Sequence, residues 1–192
     1  MGILVLINIT ACLALIDIAL KSTIEGYMTQ KEERTACGGK LILRKVYNKG
    51  MCMNLLEDHQ EVVKYGSAFA AVLLTIYQLI TLLRRKACIL KKWGLSLMTA
   101  GAWSNTFDRW LRGYVIDYAA VKCRHEKLSK ITFNLGDVLI GIGSVFVVIA
   151  AVIAQLRGKE EINIRKRMPP SGICVFAEFG WGQFYMQAAV FS

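Results

Sequence analysis

The chain has 192 residues, of which 55% are hydrophobic and 20% charged, and its formal net charge is +10. A soluble globule needs charge spread over its surface, whereas the charges here avoid several long stretches, which argues against an ordinary soluble enzyme. With 2 Pro and 16 Gly, collagen-like and disordered classes are also excluded. We attribute the basic excess to loops that face anionic lipid, and expect no nucleic-acid partner.

Four stretches of the chain are expected to cross a membrane, because a bilayer core of about 30 Å needs about 20 helical residues. Residues 65–83 and 138–156 carry no formal charge, and residues 2–16 are likewise uncharged. Residues 93–107 form a weaker span with several small residues, which suit helix–helix contact inside lipid.

The loops between the spans indicate orientation and a small sheet. A dense basic turn joins the second and third spans and favours both termini on the cytoplasmic side, with the long loops 21–65 and 106–135 outside. Residues 41–47 are bounded by turn residues and predict a strand, and another is expected around 131–133. The predicted fold is mainly α: a membrane protein with four transmembrane helices and a small extracytoplasmic β-element.

The predicted domain organisation is one membrane domain with an appendage. Residues 1–157 form the transmembrane domain, and 158–192 a basic cytoplasmic tail with an unassigned C-terminal extension. The six cysteines show no metal-ligand spacing, so no metal and no cofactor are expected. Cys37 and Cys52 are the pair that could form a disulfide outside the cell.

Charged residues at the ends of the spans are candidates for function, because charge near hydrocarbon is costly. Asp17 and Lys21 lie four apart on one helix face and are expected to form an ion pair. Lys21 could also orient a substrate or the loop above it. Asp108 and Arg109 are adjacent on a helix and therefore need different partners, and Arg109 could join loop carbonyls or carboxylates.

Asp137 directly precedes a long apolar span and is the strongest functional candidate. It could be a helix cap, or one of two carboxylates that share a proton. Such a pair supplies a base for water and an acid for a leaving amine without His, Ser or metal. Its partner is either Asp108 or Asp117, and a chain turn at Gly113 favours Asp117 without settling the choice.

A serine–lysine peptidase is the competing nucleophilic chemistry. It needs a serine beside a lysine that can act as a base. Ser104 lies within the third span, and the sequence places no obvious lysine at its depth. We therefore expect no such pair.

Two motifs in the second half of the chain resemble one family. GAWSNTFDRWLRGYVIDY (101–118), followed by FNLGDVLIGIG (133–143), resembles the bacterial lipoprotein signal peptidases, also called signal peptidase II. The resemblance covers roughly residues 1–157 and includes the acid and lysine of the first helix. It implies an aspartic endopeptidase of the bacterial inner membrane, with its active site near the outer face.

The resemblance also implies roles for individual residues. Asp117 and Asp137 are expected to be the catalytic dyad, and eight further residues to shape the site or bind substrate: Asp17, Lys21, Asn48, Gly50, Asn105, Asp108, Arg109 and Asn134. In the family, Asn48 and Gly50 match a loop that closes over substrate. The chain departs from the family pattern at Ser104, Tyr118 and Gly136, where Gly, Phe and Ala are usual.

The implied substrate is a diacylated prolipoprotein, cut just before its diacylglyceryl-modified cysteine. Membrane lipid is the surrounding partner, and the cyclic peptide globomycin is the expected inhibitor. The alternative is a catalytically silent four-helix membrane protein that binds lipoprotein precursors in the same groove.

Overall fold

The structure, a computed structural model, describes the following residues: 2–30, 32–36, 38–50, 57–84, 87–122, 129 and 131–167. Residues 1–151 form one compact unit, and a second begins at Val152. The predicted boundary at residue 157 stays a prediction. The proposed Cys37–Cys52 disulfide and the extension 168–192 lie outside the described residues.

Four helices dominate the described residues and contain the four predicted spans, except that the first helix begins one residue later than its span. A short 3-10 helix, Glu57–His59, precedes the second of them, and the helices are α1 (Ile3–Tyr27), α2 (Gln60–Leu83), α3 (Ile89–Leu111) and α4 (Leu135–Arg167). By length and composition, α1, α2 and the Leu135–Glu160 part of α4 are able to cross a membrane. The mainly helical prediction is confirmed.

The helix α3 is not apolar enough to belong to that group, because it carries the polar interior of the fold. It packs against both α1 and α2. Its buried polar side chains are Ser96, Thr99, Ser104, Asn105, Thr106 and Asp108. By contrast, Leu4, Phe69 and Val148 of the other helices are more than half exposed. This pattern of polar contacts inside and apolar surface outside is that of a protein surrounded by lipid.

Two pairs of glycines bring α3 and α4 close together. A Cβ added to Gly94 would lie 2.7 Å from the carbonyl oxygen of Gly143, and one on Gly101 would meet the carbonyl oxygen of Gly136. Both pairs therefore require the absence of a side chain. The close approach places the start of α4 beside the second half of α3.

A small antiparallel sheet completes the fold. Its order is β1 (Glu33–Ala36), β2 (Leu41–Asn48) and β3 (Val115–Val121). The strand predicted at 41–47 is confirmed as β2. The chain turns at Gly113, whose φ is 81°, a conformation that glycine adopts without strain.

One strand prediction is wrong. The strand expected around 131–133 is reduced to a single bridge between Phe133 and Ala119. The strand of that loop is β3, which begins immediately after the turn at Gly113. Phe133 cannot extend the pairing in the chain direction because α4 starts two residues later.

Candidate active site

The carboxylate of Asp117 is buried at the end of the sheet nearest α4. Its side chain lies on β3, and the residue is only 4% exposed. Asn134 donates from Nδ2 to Oδ1 at 2.7 Å, and Asn48 donates from Nδ2 to Oδ2 at 3.1 Å. Both oxygens therefore accept hydrogen bonds from neutral amides.

Asp137 is the third residue of α4, and it takes part in the helix cap. Its backbone N–H donates to Oδ1 of Asn134 at 2.9 Å, while its Oδ2 accepts from the backbone N–H of Asn134 at 3.2 Å. This reciprocal pair is a capping box, with Asn134 as the N-cap. The other oxygen, Oδ1, accepts from Nδ2 of Asn105 at 2.9 Å.

Asn134 links the two carboxylates, since its side chain donates to Asp117 and its backbone donates to Asp137. Burial and, second, the charge of Asp137 raise the pKa of Asp117 to about 6, against the lowering effect of its asparagine hydrogen bonds. The structure thus brings Asp117, and not Asp108, together with Asp137. The sequence alone had left that choice open. Asp137 therefore takes part in the helix cap and also lies beside Asp117, so the two interpretations of this residue do not exclude each other.

Three asparagines are oriented so that their NH₂ groups point at these carboxylates. In each case a fixed donor occupies the amide oxygen. The backbone N–H of Gly50 donates to Asn48 Oδ1 at 3.1 Å, and Lys21 Nζ donates to Asn105 Oδ1 at 2.6 Å. The third oxygen, that of Asn134, accepts from Asp137 as described. Asn48 and Gly50 therefore act together, because the backbone of Gly50 fixes the side chain of Asn48 within one turn.

Arg109 holds that turn against α3. Its Nη2 donates to the carbonyl oxygen of Gly50 at 3.1 Å, and its Nη1 donates to that of Asn105 at 3.5 Å. Of the loop carbonyls that Arg109 was expected to join, the described residues show one, that of Gly50, and the second carbonyl belongs to α3.

A second cluster of charged residues lies behind the site. Lys21 Nζ is 2.8 Å from Asp17 Oδ2 and 3.4 Å from Asp108 Oδ2, and all three residues are fully buried. The predicted Asp17–Lys21 ion pair is confirmed. Because Lys21 also contacts Asn105 and Ser104, its four protein partners favour a structural role over direct contact with substrate.

Asp108 belongs to this second cluster and not to the carboxylate pair. It forms an ion pair with Arg112 one turn later, and its Oδ2 accepts from the backbone N–H of Ile116 at 3.4 Å. Asp108 and Arg109 thus have different partners, as expected.

The expectation about Ser104 is wrong, because a lysine does lie beside it. Lys21 Nζ donates to Ser104 Oγ at 3.1 Å, since the long side chain of Lys21 reaches into the helix interface. The hydroxyl proton of Ser104 is directed to Asp17 Oδ2 at 2.6 Å. An amine held between two carboxylates is not free to act as the base that a serine nucleophile needs.

Sequence reasoning also missed Tyr118 as part of the site. Its hydroxyl donates to Asp17 Oδ1 at 3.2 Å and accepts from the backbone N–H of Leu135 at 3.1 Å. Burial and the charge of Asp17 raise the pKa of Tyr118 above its ordinary value, so the hydroxyl keeps its proton. The only sequence signal was its departure from the family pattern.

Comparisons with known proteins point to one family. The family model described as Signal peptidase (SPase) II matches residues 9–153. The chain belongs to the signal peptidase II family. A lipoprotein signal peptidase of Neisseria meningitidis serogroup C (strain 053442) is 29% identical over 118 residues, which are 62% of this chain and 71% of that protein. One from Clostridioides difficile (strain 630) is 30% identical over 117 residues, 61% and 74% of the two chains.

Solved structures support the same fold. Two structures described as bacterial membrane enzymes, determined by the in meso method at 2.3 Å and 1.9 Å, match with TM-scores of 0.68 and 0.65. Their sequence identities are 20% and 21%, over 80% and 78% of this chain and 90% and 93% of theirs. These structures show the fold, while the family model confirms the predicted family and with it a bacterial membrane protein of a peptidase family.

Proposed function

We propose that the protein is an aspartic endopeptidase that cleaves the signal peptide of diacylated prolipoproteins before the diacylglyceryl-modified cysteine. Asp117 and Asp137 are its catalytic dyad, and no cofactor takes part. The observation that carries this proposal is the link between the two carboxylates through Asn134, with hydrogen bonds from neutral amides to each. The named activity of the relatives supports the substrate class.

The chemistry follows from two carboxyl groups that share one proton. Asp117, whose pKa is raised to about 6, holds the shared proton and is the acid, and Asp137 is the base. Asp137 takes a proton from water, the water oxygen attacks the scissile carbonyl carbon, and Asp117 protonates the carbonyl oxygen. The C–N bond then breaks as Asp137 passes its proton to the leaving amine nitrogen, and Asp117 takes a proton back from one hydroxyl of the tetrahedral intermediate. The products are a carboxylic acid and an amine, and the dyad again holds one shared proton.

The surroundings suit a substrate embedded in lipid. The site lies where α3 ends and α4 begins, and large apolar side chains cover the outer faces of the helices. We place this end at the outer face of the bacterial cytoplasmic membrane, with both termini cytoplasmic. The signal helix and the acyl chains then lie in the bilayer while the scissile bond meets the dyad. Globomycin is the expected inhibitor.

The decisive experiment is a gel-shift assay of a purified diacylated precursor with the full chain in detergent. The parent enzyme is expected to release the signal peptide, globomycin to block the release, and D117N and D137N each to abolish it. D58N is the matched control, because Asp58 is an exposed aspartate of the short 3-10 helix, and it is expected to retain activity.

Two outcomes would contradict the proposal. Cleavage by D117N or D137N at the parent rate would remove that carboxylate from the mechanism. Binding of the precursor without turnover by the parent protein would instead favour the catalytically silent binding protein.

A further inference from the structure

The carboxylate of Asp17 accepts hydrogen bonds from two hydroxyl groups, those of Ser104 and Tyr118, and it faces Gly136. Ser104 donates to Oδ2 at 2.6 Å, and Tyr118 donates to Oδ1 at 3.2 Å. At Gly136, an added Cβ would lie 2.8 Å from Oδ2. Three residues from α3, β3 and α4 thus converge on one side chain in space.

Asp17 is connected to the dyad through two chains of contacts. In the first, Asp17 fixes Lys21, Lys21 holds the oxygen of Asn105, and the amide of Asn105 donates to Asp137. In the second, the Tyr118 hydroxyl joins Asp17 to the backbone N–H at the first residue of α4, two residues before Asp137. Asp17 and Ser104 are fully buried, and Tyr118 is 9% exposed, so they act through other residues.

We propose that Ser104, Tyr118 and Gly136 form one coupled set of positioning residues. The two hydroxyls hold Asp17 against α4, the missing side chain at residue 136 makes room for it, and the set thereby aims Asn105 at Asp137. The catalytic part of this inference rests on the function proposed above.

The three residues are coupled because each of them acts on the position of the Asp17 carboxylate. An alanine at residue 136 would bring Cβ to 2.8 Å from Asp17 Oδ2 and 3.0 Å from Asn134 Oδ1. A carboxylate is the movable end of a side chain, so Asp17 could give way. Without the hydroxyls of Ser104 and Tyr118, Lys21 still holds the carboxylate, but two of its three side-chain contacts among the described residues are gone and it gives way more easily.

The test is a mutant cycle on the full chain in detergent. The variants are S104A/Y118F, G136A and the triple S104A/Y118F/G136A, each measured for kcat and KM on the lipidated precursor and for Tm. S104A and Y118F remove the hydroxyls and little else.

We expect G136A alone to lower kcat about tenfold and Tm by about 5 °C. In the S104A/Y118F background the same substitution is expected to cost less than half as much in both measurements. KM should stay within about twofold of the parent value, because the set does not touch substrate.

G101A is the matched control. Its Cβ would meet the backbone carbonyl oxygen of Gly136 and not the side chain of Asp17. Removing the two hydroxyls cannot move that backbone, so S104A/Y118F should not rescue G101A.

Equal cost of G136A in both backgrounds, or equal rescue of G101A, would overturn the coupling. An effect on KM with kcat unchanged would overturn the positioning role. The Tm measurements need no activity, so they test the coupling even if the parent enzyme cleaves no precursor. Absence of cleavage by the parent would count against the proposed function alone.

Discussion

Two pairs of aspartates lie close together in this protein, and they are surrounded differently. Asp17 and Asp108 each contact a cation, namely Lys21 for both and Arg112 for Asp108. Among the described residues, Asp117 and Asp137 form no ion pair, and asparagine amides donate to both.

The difference separates a structural cluster from a reactive one. A carboxylate that contacts a buried cation is held ionised, and its charge is then part of the fold. A carboxylate that has only neutral donors keeps the option of taking up a proton, above all when a second carboxylate lies beside it. The chain therefore contains one pair for stability and one pair suited to acid–base chemistry.

The largest expected effect is a loss of activity that leaves the stability of the protein nearly unchanged. D117N and D137N should each lower kcat by about 10³-fold or more, whereas their Tm should not fall below that of the parent by more than about 3 °C. Differential scanning fluorimetry beside the gel-shift assay checks this. A large fall in Tm would show that the dyad, too, is a structural pair.

The next effect is the converse, a loss of stability at the other pair. K21M leaves Asp17 and Asp108 buried without their shared cation, and we expect it to cost about 3–5 kcal/mol of unfolding free energy. K40M, at an exposed lysine beside β2, is the control and should be neutral. If K21M were as stable as K40M, the buried cluster would not stabilise the fold.

A smaller effect is the pH dependence of stability. The pKa of Asp117 is raised from 3.8 to about 6 in the folded chain, so the folded state binds this proton more tightly than the unfolded state. The resulting stabilisation is complete below about pH 3.8 and is lost as the pH rises through about 6. We expect the Tm of the parent to fall relative to that of D117N between pH 5 and pH 7. Parallel curves would contradict the raised pKa.

The smallest effect is expected at a single amide donor. N48A removes one of the two hydrogen bonds to Asp117, a loss of about 1 kcal/mol that corresponds to roughly fivefold in kcat. Because this bond lowers the pKa of Asp117, its removal should shift the pH dependence upwards. An unchanged pH profile in N48A would show that Asn48 does not act on this carboxylate.

The helices and the site motifs could be predicted from the sequence. Contacts that depend on how deep a residue lies in the membrane, or on how far a long side chain extends, could not. Asp117 could be favoured over Asp108 because glycine is typical of a helix end, so that Gly113 indicated where the chain turns back. The Lys21–Ser104 contact could not be seen, because it depends on where a long side chain extends between helices. The strand β1 was missed because ERTA is short and mostly exposed, with no alternation of apolar residues to mark it.

The most direct test of the central claim is infrared spectroscopy of the ¹³C-labelled aspartate carboxyls across a pH titration. The parent is expected to show one protonated carboxyl group that loses its proton near pH 6. In D137N this titration should move to lower pH, because the neighbouring charge is gone, and in D117N it should be missing. A parent protein in which every aspartate is already ionised at pH 5 would contradict the shared proton and, with it, the proposed mechanism.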